Sequence, residues 1–149
     1  MENSLKGLIL AAGVIITCVV VGLGFYIARE AKDTASAGAG EISSLNSEFS
    51  ENDKTIYDGM TVSGNEVLNA IRKFDGDSIS IKVITNKSTS YYINKLDTND
   101  SNLGEKSDLK VANAKNAGST YYINPNGRFD GEVLRDGNNT IIGIKFTQI

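Results

Sequence analysis

The side chains that could do acid–base or nucleophilic chemistry are few in this chain. It has no histidine, which is the commonest general base, and its one cysteine, Cys18, lies within an apolar run. Serines are frequent, but none stands in a Ser-x-x-Lys or Gly-x-Ser-x-Gly motif with a supporting context. A carboxylate pair such as Asp130 and Glu132 has the alternating spacing of a solvent-facing strand. The sequence therefore predicts a protein that is not an enzyme and has no catalytic residues.

Calcium is the one cofactor whose ligand spacing is partly present. Asp97, Asn99 and Ser101 have the one-three-five spacing of a calcium loop. The glycine that such a loop needs at position six stands instead at Gly104, and the last ligand would have to be Asp108. We therefore predict a solvated polar loop, with no metal and no cofactor. The net charge of −3 argues against nucleic acid as a partner, since a nucleic-acid-binding surface is clustered and basic.

Residues 8–28, LILAAGVIITCVVVGLGFYIA, form an apolar run without a single charge. Its length of about 21 residues matches the roughly 20 that a helix needs to cross a bilayer. A secretory signal peptide has a shorter apolar region, of about 7–15 residues, followed by a cleavage site. The run predicts a single transmembrane helix, so a membrane is a partner. The Asn-, Ser- and Thr-rich remainder predicts an extracellular C-terminal domain, although Lys and Arg flanking the run slightly favour the opposite orientation.

An apolar stripe continues past the predicted transmembrane helix. Steps of three and four residues define an approximate heptad pattern, which we call the apolar seam. Two alternatives fit residues 29–56: one long helix that continues the transmembrane segment, or a flexible linker, since Gly38 and Gly40 each disfavour a helix by about 1 kcal/mol. Small residues also allow helices to approach closely, so the stripe predicts self-association through the N-terminal helix. The apolar seam consists of Ala31, Ala35, Gly38, Ile42, Leu45 and Phe49.

The remaining residues, 57–149, predict one soluble α+β domain behind a leader at residues 1–7. Ser63 and Glu66 form a capping box, and apolar residues at helical spacing follow to about residue 74. Period-two patterns predict a hairpin of residues 78–85 and 90–96 and a three-stranded meander from residue 119 onward. Residues 105–117 fit a short helix or a poorly formed strand, and we favour a strand or loop at 109–112. Residues 97–104 have the composition of a loop. The prediction is one capped helix packed on an antiparallel sheet of about five strands.

Two stretches of the domain resemble each other, because Tyr-Tyr-Ile-Asn occurs at residues 91–94 and again at 121–124. Both are predicted to be strands of one sheet. The tyrosines would then form an aromatic patch that contacts a partner, or pack between strands. These candidate contact residues are Tyr91, Tyr92, Tyr121 and Tyr122.

The first 50 residues resemble type IV pilin-like proteins, including archaeal-type flagellins. The likeness lies in the polar leader MENSLKG, the pair Lys6 and Gly7, the apolar run and the milder seam beyond it. The resemblance implies that a membrane peptidase cuts between Gly7 and Leu8, and that the helices bundle in a filament core. The sequence departs from the bacterial pattern at the fifth mature position, where Ala12 replaces glutamate, and at the first, where Leu8 replaces phenylalanine.

Two functions remain open at this point. The first is a membrane-anchored structural protein of the cell surface, a pilin-like subunit of an extracellular filament. The alternative is a single-pass anchored binding or accessory protein of a surface or conjugation-type membrane complex, whose protein partner the sequence does not specify.

Overall fold

The structure is a computed structural model that describes all residues from Met1 to Ile149, and it confirms the α+β class. Two compact units divide the chain, Met1–Glu48 and Phe49–Ile149, and we call the second unit the head domain. In chain order the elements are α1 (Glu2–Thr55), β1 (Thr61–Ser63), α2 (Gly64–Lys73), β2 (Ser80–Ile84), β3 (Thr89–Tyr92), β4 (Asn94–Leu96), β5 (Leu103–Lys106), α3 (Val111–Lys115), β6 (Arg128–Arg135) and β7 (Ile141–Gln148).

The first helix, α1, is continuous through Gly38 and Gly40, which confirms the long-helix alternative for this segment. No residue of α1 is buried. Each glycine costs about 1 kcal/mol of helix propensity, but the residues around them include Ala35, Ala37 and Ala39, and alanine is the best helix former. The helix preference of these alanines therefore offsets the cost of the two glycines.

Five strands form the main sheet in the order β1-β6-β7-β2-β3. Three of the four neighbouring pairs are antiparallel, but β2 and β7 are parallel, with Ile81 beside Ile144. The prediction of an antiparallel sheet is therefore wrong at this pair. The chain leaves the sheet after β3, and the later hairpin of β6 and β7 returns on the other side of β2. Pairing between strands so distant in sequence is set by tertiary packing, which local patterns do not report.

The predicted meander is wrong in its first strand. Residues 119–124 form turns and irregular backbone, and the fifth strand of the sheet is β1 instead. The amide of Tyr122 donates to the carbonyl of Ser119 at 3.2 Å, and that of Ile123 donates to the carbonyl of Ala114 at 2.8 Å. These bonds hold the segment against α3, with the Ile123 side chain buried in the core.

Two further predictions differ from the structure. The strand or loop predicted at residues 109–112 is wrong from Val111, where α3 begins with its Lys110 amide bonded to the Asn113 side chain. The predicted loop at residues 97–104 ends earlier, since β5 begins at Leu103 and pairs with β4. The backbone of β4 pairs with residues from Leu103 onward and makes them a strand. A loop prediction from composition does not take such pairing into account.

The second helix, α2, covers one face of the main sheet. Its capping box is confirmed, because Ser63 Oγ accepts from the Glu66 amide while the Glu66 carboxylate accepts from the Ser63 amide. The buried side of α2 comprises Val67, Leu68, Ala70 and Ile71. Facing residues of the sheet, also buried, are Ile81, Val83, Tyr92, Phe129, Ile144 and Phe146.

The last turns of α1 belong to the head domain and are bound to it by ion pairs and by one aromatic side chain. Three ion pairs join them to other elements: Glu51 to Arg135 at 3.4 Å, Asp53 to Lys73 at 2.9 Å, and Lys54 to Asp77 at 3.3 Å. Directly after the helix, the Tyr57 ring packs edge-on against Phe146 at 5.5 Å and Phe74 at 6.3 Å between ring centres. Residues 49–57 are therefore an integral part of the head domain.

A second, two-stranded sheet is formed by β4 and β5. Ile93, a buried residue with a φ of 70°, turns the chain out of β3 into β4. For a β-branched residue this backbone conformation is strained. Hydrogen bonds from Ser80 Oγ to the Asn94 carbonyl, at 2.6 Å, and from Asn94 Nδ2 to the Ile79 carbonyl, at 2.9 Å, hold the base of this hairpin.

Candidate interaction surfaces

The apolar residues 8–28 of α1 are uncovered. Leu8 is 70% exposed, Ile16 63% and Phe25 74%. The segment would be about 31 Å long as a helix, which matches the roughly 30 Å hydrocarbon core of a bilayer. Uncovered apolar surface of this extent marks a membrane or protein interface. The structure thus contains one helix that is long and apolar enough to cross a membrane.

The apolar seam lies along one side of α1, because the helix is unbroken from the first of its residues to the last. At about 100° per residue, its six members fall within roughly 40° of a common line. The larger side chains are exposed: Ile42 is 61% exposed, Leu45 50% and Phe49 66%. No other part of the chain lies near Gly38, so its backbone is open for close approach by another helix.

The predicted leader junction also lies within α1. Gly7 and Leu8 are both helical and exposed, and nothing else in the chain approaches Gly7. Each of the two residues is therefore accessible from outside the molecule.

The four candidate tyrosines do not form one patch. Successive residues of β3 point to opposite faces of the sheet, so Tyr91 is half-buried on the outer face while Tyr92 is fully buried in the core. Tyr92 donates its hydroxyl to the Tyr121 carbonyl at 3.2 Å, and burial raises its pKa to about 12. Tyr92 therefore packs in the interior and is not a surface contact residue. Tyr121 lines one surface groove together with Tyr91, and Tyr122 lines another together with Gln148.

A partly buried ion pair, which the sequence analysis did not identify, lies on the outer face of the sheet. Lys82 on β2 bonds to Asp100 at the tip of the β4–β5 hairpin, and its Nζ lies 5.6 Å from the centre of the Tyr91 ring. Burial of Lys82 by itself would lower the pKa of this side chain. The hydrogen bond to Asp100, the negative charge of Asp100 and the nearby Tyr91 have the opposite effect, and together they raise the pKa of Lys82. The charged Lys82 therefore holds the hairpin tip against the sheet. The only sequence signal was a lysine between two apolar residues, Ile81 and Val83, of a predicted strand.

The loop with partial calcium spacing is held by its own side chains. The Asp97 carboxylate accepts from the Ser101 amide at 2.7 Å and from Asn102 Nδ2 at 3.0 Å. These hydrogen bonds, that from Ser101 above all, lower the pKa of Asp97. The carboxylate that would be the first metal ligand thus serves as a turn-forming acceptor. No group of three or more acidic, histidine or cysteine side chains in the structure is arranged to hold a metal ion.

The edge of the sheet carries a groove of about 330 Å³ beside β3. Thr89, Ser90 and Tyr91 of β3 line one side of it. The other lining residues are Lys95, Ser107, Asp108, Leu109 and Tyr121, which come from β4, from the segment before α3 and from the turn after it. The groove therefore combines two aromatic rings and an aliphatic side chain with one charge of each sign.

Comparison of the chain with protein-family models, with curated proteins and with solved structures gave no match. The case for any function therefore depends on the surfaces described above.

Proposed function

We propose that the protein is a membrane-anchored structural subunit of the cell surface that self-associates through α1, as a pilin-like subunit of an extracellular filament. The observation that carries this proposal is the continuity of α1. A bilayer-length apolar segment and the apolar seam belong to one helix, and every large apolar side chain along it is exposed.

Exposed apolar side chains along a helix favour burial against another apolar surface. Burying the side chain of one leucine or phenylalanine contributes about 1.5–3 kcal/mol. Ile42, Leu45 and Phe49 lie beyond the apolar residues 8–28. A bilayer that surrounds residues 8–28 would therefore leave these three side chains in water. Parallel copies of α1 in one membrane would bring seam against seam, and Ala31, Ala35 and Gly38 would allow the helices to pack closely.

Crosslinking through single cysteines tests this proposal, because a Cys18→Ser background contains no other thiol. In that background, Ile42→Cys places a thiol on the seam. Ser47→Cys is the matched control, since residue 47 lies about 140° around the helix from residue 42. We expect disulfide-linked dimers of the full chain in membranes for Ile42→Cys and not for Ser47→Cys.

Adding Leu45→Asp to the Ile42→Cys chain should abolish the crosslink, because a carboxylate buried without a partner in an apolar interface is costly. Adding Ser47→Asp introduces the same charge on the other side of α1 and should leave the crosslink intact. Equal crosslinking at positions 42 and 47, or crosslinking that survives Leu45→Asp, would rule out assembly through the seam. The mass of the mature N-terminus shows separately whether the chain is cut between Gly7 and Leu8.

The groove beside β3 favours a second candidate, an anchored protein whose head domain binds a partner. The two candidate functions predict different effects of Leu45→Asp on assembly and on partner binding. Loss of the seam abolishes a filament, whereas an anchored binding protein keeps its partner when the seam is lost.

A further inference from the structure

The outer edge of β3 has backbone groups whose direction follows from the strand register. The Thr85 amide donates to the Ser88 carbonyl at 2.9 Å, so these two residues are a hydrogen-bonded pair that closes the β2–β3 turn. Hydrogen-bonded and non-hydrogen-bonded pairs alternate along antiparallel strands. Ser90 and Tyr92 therefore bond to β2, whereas Thr89 and Tyr91 direct their N–H and C=O groups away from the sheet.

One of these outward groups is already bonded within the chain. The Tyr91 carbonyl accepts from Ser107 Oγ, which agrees with the direction assigned to it. No backbone or side-chain group of the chain bonds to the Thr89 amide, the Thr89 carbonyl or the Tyr91 amide. A donor, an acceptor and a second donor thus lie in sequence along the free edge, which is the pattern that an added strand complements.

Contacts at both ends limit the length of this open edge. At one end Ser88 Oγ donates to the Thr120 carbonyl at 2.8 Å, and at the other Ser107 bonds to Tyr91. Only the backbone of Thr89 to Tyr91 is open between them. A short extended segment can pair with these three residues, whereas a longer added strand, such as the edge of another sheet, would meet the neighbouring segments at both ends.

The side chains of the groove add further requirements for its occupant. Tyr91, Tyr121 and Leu109 offer apolar contact. Lys95 and Asp108 form no ion pair within the chain, so each is available to a side chain of opposite charge. These features complement a peptide with a bulky apolar residue and with an acidic and a basic residue near it.

We propose that the groove beside β3 binds one extended peptide segment of a protein partner by strand addition. The peptide backbone bonds to Thr89 and Tyr91, an apolar side chain packs against Tyr91 and Tyr121, and flanking charges meet Lys95 and Asp108. Main-chain hydrogen bonds supply affinity in this mode of recognition, and the pockets for side chains supply specificity. The proposal is independent of the seam and holds whether or not the protein forms filaments.

The test selects peptides against the full chain in detergent micelles. A random dodecapeptide phage library is bound to the wild-type chain after removal of phage that bind Thr89→Pro. Proline at position 89 removes the outward amide, and because that amide does not bond to β2 the β2–β3 pairing is left intact. Thr89→Ala, which keeps the amide, is the matched control.

We expect selected peptides, once synthesised, to slow hydrogen exchange of the Thr89 and Tyr91 amides at least tenfold. We also expect them to bind Thr89→Ala as they bind wild type, and Thr89→Pro at least tenfold more weakly. A peptide methylated at the backbone nitrogens that face β3 tests the same bonds with an unaltered protein, and it should lose at least tenfold in affinity.

Three results would overturn the proposal. Selection could yield no peptide that protects Thr89 and Tyr91, which would mean that water alone occupies this edge. The methylated peptide could bind as well as its parent, which would mean contact through side chains only. Both amides could be protected without any peptide and more strongly at higher protein concentration, which would mean that a second copy of the chain pairs there.

Discussion

Replacing Gly131 by alanine is the change that most directly tests how the end of α1 is fixed to the sheet. Gly131 lies in β6, and a Cβ atom at this position would be 2.2 Å from the Tyr57 carbonyl oxygen. The backbone there is held from both sides, since the Gly59 amide donates to the Gly131 carbonyl at 2.9 Å and the Gly131 amide donates to the Met60 carbonyl at 2.8 Å.

The expected loss of stability follows from these distances. The gap between the new methyl group and the carbonyl must open by about 1 Å to reach van der Waals contact. A shift of that size breaks or weakens the two hydrogen bonds, at about 0.5–1.5 kcal/mol each. It also moves Tyr57 away from Phe74 and Phe146. Together we expect Gly131→Ala to lower the free energy of unfolding by about 2–4 kcal/mol, within the range for overpacked sites and lost hydrogen bonds.

Thermal unfolding of the full chain, followed by near-ultraviolet circular dichroism, measures this effect. At roughly 4–8 °C per kcal/mol for a domain of this size, Tm should fall by about 8–32 °C. Gly137→Ala is the matched control, because nothing in the chain approaches that position, and it should leave Tm unchanged or raise it slightly. An equal Tm for both variants would refute the inference that the turn after α1 is packed tightly on β6.

Two further substitutions and one membrane extraction test other parts of the structure. Ser63→Ala removes the α2 cap and should lower the free energy of unfolding by about 1 kcal/mol in urea titrations, whereas an unchanged midpoint would show that the cap is dispensable. Burial raises the pKa of Tyr92 from 10.0 to about 12, so the folded state retains this proton more tightly; stability is full below pH 10 and declines as the pH rises to 12. Tyr92→Phe should reduce that decline by about 2–3 kcal/mol, and an equally steep decline in the variant would assign it to other groups. Carbonate extraction should leave the full chain with the membrane fraction, and its release would exclude a transmembrane helix.

The parts of the fold that could be predicted from the sequence are those that local interactions determine. The capping box of Ser63 and Glu66 lies within one helical turn, so its residue types alone were sufficient. The period of the apolar seam likewise needs only a helix to place its residues on one side. Continuity through Gly38 and Gly40 could not be decided in advance, because the two costs of about 1 kcal/mol are comparable to the preference of their neighbours.

The repeated tetrapeptide Tyr-Tyr-Ile-Asn shows why the rest could not be predicted. At residues 91–94 it includes the end of β3, whereas at 121–124 it forms a turn and irregular backbone. Identical residues adopt both conformations because strand preference depends on neighbouring strands. Ile123 is buried beside α3 and not between strands, a position that only tertiary packing could determine.

The candidate groove was beyond sequence analysis for a related reason. It is built from β3, from β4, from the segment before α3 and from the turn after α3, and the direction of the Thr89 and Tyr91 backbone groups depends on the register of β3 with β2. A period-two pattern identifies which side chains share a face. It does not identify which amides remain unpaired at an edge.

The parallel pairing of β2 with β7 has a consequence for how the head domain forms. β7 is the last strand in the chain and yet lies in the middle of the main sheet, with β6 on one side and β2 on the other. The parallel contacts between β2 and β7 therefore join residues as distant in the chain as Ser80 and Gly143, and pairing over such a separation raises contact order and slows the search for the native register. A nascent chain that already holds α2, β2 and β3 can pair β2 with β3 but lacks β7, the strand on the other side of β2. Until residues 141–148 have been synthesised, the main sheet lacks its central strand and one edge of β2 stays unpaired.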